Sequence, residues 1–186
     1  MLGGFLLQAS TKKEVYSWIK SIAFALVIVF ICREFIFTPV VVKGGSMEPT
    51  FESNNRIVVS KTSAIERFDM IVFKAPDKDE QYIKRVIGLP GDSVEMRDDV
   101  LYINGKPYEE PYVKRNNNIE LSKVTSDFTL NELTGNKKVP NGYFFVLGDN
   151  RLKSRDSRDF GFISTDSVIG EVKFRFYPLQ EIGMPK

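Results

Sequence analysis

A period of two, with apolar and polar residues alternating, runs through the sequence after Pro39 and constrains the fold more than any other feature. Successive strand residues point to opposite faces of a sheet, so this period indicates β-structure rather than helices. Glycine, proline and asparagine separate the alternating segments and mark turns. The sequence therefore predicts a mainly β, antiparallel domain. Its predicted strands are Val40–Lys43, Ile57–Ser60, Met70–Phe73, Gln81–Ile87, Ser93–Met96, Val100–Ile103, Tyr143–Leu147 and Gly170–Phe176.

Two turns and one strand give the most specific local predictions. Leu89-Pro90-Gly91-Asp92 places proline and then glycine at the centre of a type II turn, and Asn104-Gly105 fits a two-residue hairpin turn. In the last strand, apolar residues at 172, 174 and 176 alternate with basic residues at 173 and 175. This alternation predicts a half-buried antiparallel strand.

The segment from about 98 to 140 is more polar than the rest of the domain. It contains Asn116-Asn117-Asn118 and few large apolar residues after Tyr112. We expect a β-hairpin and surface insertion here, which could form a small subdomain, and we find neither a repeat nor a low-complexity tract.

An apolar stretch from Val15 to Val42 is the one membrane candidate. Its uncharged run, Ser21 to Cys32, is shorter than the ~20 residues that cross a bilayer, and it fits a signal-peptide core or a buried helix equally well. A retained span is favoured because Lys20 can reach the interface along its aliphatic stem, and because no small-residue cleavage pattern follows the core. A soluble core helix remains the alternative.

These signals predict three parts, a cytoplasmic tail over 1–14, a transmembrane anchor over 15–38 and an extracytoplasmic β-rich domain over 39–186. Lys12, Lys13 and Lys20 precede the predicted span, while Arg33 and Lys43 follow it. By the positive-inside rule, this distribution places the N-terminus in the cytoplasm.

Composition excludes several classes of function. Lys+Arg 26 against Asp+Glu 24 gives a net charge of +2 without a basic stripe, so we expect no nucleic-acid partner. The chain has no histidine, which rules out Ser-His-Asp and Cys-His proteases and the histidine-ligated zinc hydrolases. The single Cys32 can form no internal disulfide and is interpreted as a buried or lipid-facing side chain. No metal or organic cofactor is expected.

A serine hydrolase without histidine needs another base, and a buried lysine can supply it. Moving a lysine pKa from about 10.4 to about 7 takes roughly 3.4 units, and full burial is known to shift lysine by ~3 to 5 units. Lys84 lies in the apolar strand segment Gln81–Ile87, with Arg85 on the opposite face. We expect one of the two cations to face inward and the other to face solvent, although both could be solvated strand charges.

Two further segments supply candidate partners for Lys84. Gly44-Gly45-Ser46 places a serine after two glycines, which allow tight backbone angles and close approach of a peptide, although an ordinary loop fits as well. The segment from Gly148 to Gly161 follows an apolar strand and is dense in hydrogen-bonding groups. It is either a polar network that supports a site or a charged surface loop.

In order, these segments resemble the boxes of the bacterial type I signal peptidases, over nearly the whole chain. Those proteins have an N-terminal anchor and then a G-x-S-M-x-P-T box, matched by Gly44–Thr50. An aspartate-led strand follows, matched by Asp69–Phe73, and then a K-R-x-x-G-L-P-G-D box, matched by Lys84–Asp92. Their last box, G-D-N-R-x-x-S-x-D-S-R, is matched by Gly148–Arg158.

The resemblance implies a role for each matched position. Ser46 would be the nucleophile and Lys84 the general base, with Ser154 orienting the lysine amine. Asp156 and Arg158 would form a structural ion pair beneath the site. The Ser46 amide would bind the oxyanion, and Gly44 stands where some relatives add a hydroxyl.

The resemblance also implies a membrane-bound monomer that cleaves signal peptides from exported precursors after small residues, with the lipid bilayer as its second partner. A soluble Ser-Lys autoprotease with a DNA-binding domain is a rival, but the short N-terminus has no room for that domain. A catalytically silent, membrane-tethered peptide-binding protein is the rival from another class.

Overall fold

The computed structural model describes residues 4–31, 35–114 and 123–184, and the chain divides into two compact units, 1–38 and 39–186. The first unit is one helix, α1, over Gly4–Ile31. Its apolar side chains are exposed, including Trp18 at 70% and Phe24 at 68%. No helix within the described ranges is both long and apolar enough to cross a membrane.

The structure differs from the predicted anchor over 15–38 at both ends. The helix begins at Gly4 instead of near Val15, and the first strand already begins at Phe37, where helical residues were expected. Pro39 lies within that strand instead of terminating a helix, because an edge strand accommodates a proline that donates no hydrogen bond. The predicted features at Cys32, Arg33 and Glu34 lie outside the described residues.

The second unit is built on a seven-stranded sheet with the order β1-β2-β11-β3-β4-β9-β10. Its described neighbouring pairs from β2 onward are antiparallel, as the sequence predicts. The strands are β1 Phe37–Val41, β2 Arg56–Ser60, β3 Met70–Lys74, β4 Gln81–Gly88, β9 Tyr143–Leu147, β10 Ile163–Ser164 and β11 Val168–Tyr177.

A second, four-stranded sheet has the order β7-β6-β5-β8. It comprises β5 Val94–Arg97, β6 Val100–Ile103, β7 Lys106–Tyr108 and β8 Phe128–Thr129. The short helix α2, Leu130–Thr134, follows β8 directly, and α3, Ser157–Phe160, follows β9. The segment 98–140 is therefore more than a hairpin, although its Asn116-Asn117-Asn118 lies outside the described residues.

Buried side chains tie the second sheet to the first one. Leu101, Ile103 and Phe128 share one hydrophobic cluster with Phe145 and Leu147 of β9. Each fully buried side chain of this size contributes about 1.5–3 kcal/mol relative to an exposed one. The expectation of a surface insertion is therefore wrong for these residues, because the few apolar side chains of the segment are buried in the contact between the two sheets.

Both predicted turns are confirmed. Gly91 has a φ of +90° and the Asp92 amide donates to the Leu89 carbonyl, while Asn104 and Gly105 both have positive φ between paired β6 and β7. The simple alternation predicted for β11 is wrong, since register shifts interrupt its pairing with β2 and leave Phe174 39% exposed. A bulge adds a residue to one strand and reverses the faces beyond it.

Candidate active site

Ser46 lies in a tight turn that follows β1. Gly44 has a φ of +77°, a backbone angle that glycine adopts without steric cost. The turn is held in place by Met47 and Phe51, whose side chains are buried in the hydrophobic cluster of β2, β3 and β11. These residues are 1% and 0% exposed. Ser46 itself is half-buried, so its hydroxyl is held in place while remaining accessible.

The amine of Lys84 lies beside the Ser46 hydroxyl. Its Nζ donates to Ser46 Oγ at 2.8 Å and to the Ile83 carbonyl at 2.9 Å, and the residue is only 3% exposed. Burial lowers the pKa of Lys84 from 10.5 to about 8, and the carboxylates of Asp156 and Asp149 partly oppose this shift. The structure thus brings together the two residues that the sequence predicts as nucleophile and base.

Arg85 departs from the expectation that one of the two adjacent cations faces solvent. It lies on the opposite face of β4 from Lys84, yet it is 5% exposed. Its guanidinium donates to both carboxylate oxygens of Asp149, at 2.9 and 2.6 Å, and lies 3.9 Å from the centre of the Tyr112 ring. Alternation correctly places the two cations on opposite faces, but it does not reveal that both faces are covered.

Ser154 reaches the site without making the predicted hydrogen bond. Its hydroxyl is buried and has no hydrogen-bond partner among the described residues. It packs against Gly148, where a Cβ would come within 2.1 Å of Ser154 Oγ and 2.5 Å of the Ser46 carbonyl oxygen. Ser154 is therefore close to the turn over 44–50, which carries the predicted nucleophile Ser46 and which we call the nucleophile turn. The role of Ser154 in orienting Lys84 stays a prediction.

Asp156 and Arg158 form the predicted ion pair. The guanidinium donates to the two carboxylate oxygens at 2.8 and 2.9 Å, and Asp156 is fully buried. Asp156 also accepts a hydrogen bond from the Gly148 amide and caps the N-terminus of α3. The pair thereby fixes the segment 148–158, which we call the catalytic loop.

Several supporting contacts were not assigned from the sequence. The Asn150 amide donates to the Ser46 carbonyl at 3.1 Å, and its side chain donates to the Gly45 carbonyl at 3.0 Å. Asp149 also accepts from the Thr50 hydroxyl. The density of hydrogen-bonding residues after β9 signals such a network, but it does not identify the partners.

A cleft of about 860 Å³ leads to the Ser46–Lys84 pair. Its walls come mainly from residues 40–47 and 78–84, with Lys153 and Arg155 at the rim. The β9 strand pairs with β4 only from Arg85 onward, so within the described residues the edge of 81–84 away from β3 has no strand partner. A strand edge without a strand partner forms a template for an added strand.

The chain also matches known proteins. The family model described as "Signal peptidase, peptidase S26" matches residues 15–177. The chain is similar to "Signal peptidase I" of Bacillus caldolyticus, with 49% identity over 86% of this chain and 90% of that protein. It is also similar to "Signal peptidase IB" of Staphylococcus aureus strain COL, with 45% identity over 91% and 93%.

A solved structure is similar as well. The crystal structure of a signal peptidase I from Enterococcus faecalis V583 matches with a TM-score of 0.54 and 45% identity, over 59% of this chain and 97% of that chain. The mainly β fold and these similarities define the class of protein as a serine endopeptidase. The chain belongs to the signal peptidase family, peptidase S26, which confirms the resemblance found in the sequence.

Proposed function

We propose that the protein removes N-terminal signal peptides from exported precursor proteins, cleaving after small residues with Ser46 as nucleophile and Lys84 as general base. The observation that carries this proposal is the 2.8 Å contact between Ser46 Oγ and Lys84 Nζ. A general base must lie within hydrogen-bond reach of the proton it takes, and its pKa should be near the working pH. A lysine pKa lowered to about 8 by burial meets the second condition.

The first half of the reaction forms an acyl-enzyme. Neutral Lys84 takes the proton of Ser46 Oγ, and the oxygen attacks the carbonyl carbon of the scissile peptide bond. The carbon–nitrogen bond then breaks, and the Lys84 ammonium gives its proton to the departing amine. The signal peptide remains bound to Ser46 as an ester.

The second half releases the signal peptide and restores the enzyme. Lys84 takes a proton from water, and the hydroxide attacks the ester carbonyl carbon. The bond between that carbon and Ser46 Oγ then breaks, and the Lys84 ammonium returns its proton to Ser46 Oγ. The Ser46 amide donates no hydrogen bond within the described residues, which suits it to bind the oxyanion. Gly44 has no hydroxyl to add, so this site relies on backbone donors.

Three residues of the catalytic loop support the pair in this proposal. Ser154 orients the lysine amine once substrate occupies the cleft, because its buried hydroxyl has no other partner among the described residues. Asp156 and Arg158 keep the loop under the site through their two-pronged ion pair. A single chain supplies these five residues, and we propose a functional monomer.

The cleft accommodates the substrate as an extended strand. The edge of residues 81–84 and the segment 40–43 offer backbone groups on its two sides, and strand addition would supply main-chain hydrogen bonds. Val40, Val42 and Val72 line the cleft with apolar surface. Shallow pockets between these side chains would admit only small residues near the scissile bond.

We further propose that α1 attaches the protein to the lipid bilayer of the cell membrane, with the N-terminus in the cytoplasm and the catalytic unit outside. The support is the exposed apolar surface of α1 from Val15 onward, and the basic residues Lys12 and Lys13, which precede that surface within the same helix. Protease added to intact cells should digest the catalytic unit. Digestion only after the cells are lysed would indicate the opposite orientation, with the catalytic unit in the cytoplasm.

The proposed chemistry is tested by cleavage of a precursor protein in detergent. Ser46→Ala and Lys84→Ala should each lower the rate by at least about 10³-fold, because each removes an essential group of the acylation step. Ser53→Ala and Lys137→Ala change the same residue types at exposed positions and should cleave normally. Substantial cleavage by either folded site variant would refute the assignment.

A further inference from the structure

A buried ion pair connects the catalytic loop to the segment that follows β7 of the second sheet. Arg151 donates to both carboxylate oxygens of Glu110, with 3.0 Å between Nη1 and Oε2. The two side chains are 1% and 3% exposed. The residues are far apart in the sequence, so this contact fixes one part of the chain against another.

Arg151 is connected to the nucleophile turn by hydrogen bonds within the catalytic loop. Its Nε donates to the Gly148 carbonyl at 3.0 Å, and its own carbonyl accepts from Arg158 at 2.9 Å. The adjacent Asn150 holds the Ser46 carbonyl and the Gly45 carbonyl. Arg151 is therefore one residue from the direct contact between the catalytic loop and the nucleophile turn.

Glu110 is connected through Tyr112 to β4, the strand that carries Lys84. The Tyr112 hydroxyl donates to Glu110 Oε1 at 2.9 Å, and the Tyr112 ring lies against the Arg85 guanidinium. Arg85 neighbours Lys84 and donates twice to Asp149. One carboxylate thus organises contacts to both the nucleophile turn and the strand that carries the base.

The Glu110–Arg151 pair should matter more for the position of the catalytic loop than for the stability of the fold. A buried ion pair contributes little net stability, since desolvation offsets much of the attraction, and apolar residues of similar volume often replace it without loss. The fixed two-pronged geometry of Arg with a carboxylate instead restricts where the loop can lie. A replacement that keeps the fold but removes this geometry should affect the reaction more than the unfolding.

We propose that Glu110 is a positioning residue for the Ser46–Lys84 pair, through which the second-sheet part of the chain sets the geometry of the catalytic loop. This inference rests on the proposed Ser–Lys reaction and assigns a role to the segment 98–140. Glu110 itself does not touch the reacting atoms. It acts through Arg151 and Tyr112.

The test compares Glu110→Gln with Glu109→Gln in the full chain. Glu109 is exposed and adjacent, so it controls for the loss of one carboxylate. Active sites are counted with an acylating inhibitor, and kcat and KM are measured on a signal-peptide substrate. We expect kcat per labelled site to fall about 10- to 100-fold in Glu110→Gln, with KM changed less than about twofold, because small misplacements of reacting groups have effects of this size. Glu109→Gln should match the wild type.

A double variant, Glu110→Met with Arg151→Met, replaces both charges with apolar side chains and tests the inference if Glu110→Gln does not fold. It should fold and show the same loss of kcat per labelled site. Wild-type kcat per labelled site in either folded variant, or failure of both variants to fold, would overturn the positioning role. An inactive wild-type protein would instead overturn the proposed function.

Discussion

At the scale of single residues, the proposed role of Lys84 as a base requires the neutral amine, and burial favours that form near neutral pH. Its pKa falls from 10.5 to about 8, with burial as the main cause. The carboxylates of Asp156 and Asp149 favour the protonated amine and limit the shift. Burial therefore lowers the pKa of Lys84, while two carboxylates raise it. The same two carboxylates hold the catalytic loop in place.

This balance predicts the pH dependence of the reaction. The lowered pKa means that neutral Lys84 is about a tenth of the total at pH 7 and about half at pH 8. We expect kcat/KM to rise about tenfold from pH 7 to pH 10 with a midpoint near 8. The measurement is a series of kcat/KM values on one peptide substrate, and a flat profile would exclude lysine as the base.

The same shift predicts a cost in stability. Between the folded pKa of about 8 and the ordinary 10.5, the unfolded chain binds more protons, so wild-type stability rises with pH across this window. At pH 7 the penalty is fully present, and Lys84→Met should raise the free energy of unfolding by about 1–3 kcal/mol. Urea titrations should show this gain shrinking below about 1 kcal/mol at pH 10. An equal gain at both pH values would contradict the assigned pKa.

The sequence predicts the central pair and the Asp156–Arg158 ion pair, but it does not predict the other contacts around them. The missing histidine requires another base, and the order of the boxes points to Ser46 and Lys84. The burial of Arg85 could not be predicted, because alternation gives the face of a side chain and not what covers it. Glu110 gave no signal, because its partner Arg151 is far along the chain.

At the scale of elements, the nucleophile turn and the catalytic loop meet at Gly148. A Cβ there would lie 2.1 Å from Ser154 Oγ and 2.5 Å from the Ser46 carbonyl oxygen, well inside normal contact distance. The missing side chain lets the end of β9 approach the turn after β1. Two segments distant in sequence are thereby brought together around the site.

Gly148→Ala should separate these two elements. We expect a loss of about 1–3 kcal/mol in stability from overpacking and a fall in kcat of about 100-fold as Ser46 moves. Gly88→Ala is the matched control, because its Cβ would meet Val139 and Val94 at 2.9 Å, within the core cluster of the second sheet. It should lose similar stability while keeping kcat per folded molecule. Equal kcat in the two variants would argue against this contact.

The elements that could not be predicted are short or irregular. Each of the eight predicted strands overlaps an observed strand, although β1 covers Phe37–Val41 instead of Val40–Lys43. The strands β8 and β10 have two residues each, too few to show a period. Helix α2 begins with a capping box in which Thr129 and Glu132 exchange hydrogen bonds, a local feature within a polar segment. The bulges of β11 depend on its pairing with β2, which the sequence of one strand does not contain.

At the scale of the whole molecule, the chain combines a compact β unit with a helix that leaves its apolar side chains uncovered. Ile19, Phe24, Val27 and Phe30 of α1 are all more than half exposed. Uncovered apolar surface on this scale marks an interaction site for a membrane or another protein. We propose lipid as its partner, consistent with a substrate that itself carries an apolar signal segment.

Binding to phospholipid vesicles tests this proposal in the full chain. Phe24→Asp combined with Val27→Asp places two charges on the apolar surface and should reduce the vesicle-bound fraction at least about tenfold. Asn131→Asp adds a charge at an exposed position of α2 and should leave binding unchanged. Unchanged sedimentation of the double variant with vesicles would contradict the role of α1.

The most direct test of the central claim is to trap the acyl-enzyme and locate it by mass spectrometry. The wild-type protein, treated with an acylating peptide analogue, should carry one adduct on Ser46. Lys84→Met should stay folded and remain unlabelled over the same time, whereas Lys137→Met should label normally. An adduct on another residue, or labelling of Lys84→Met at the wild-type rate, would contradict a reaction in which Lys84 activates Ser46.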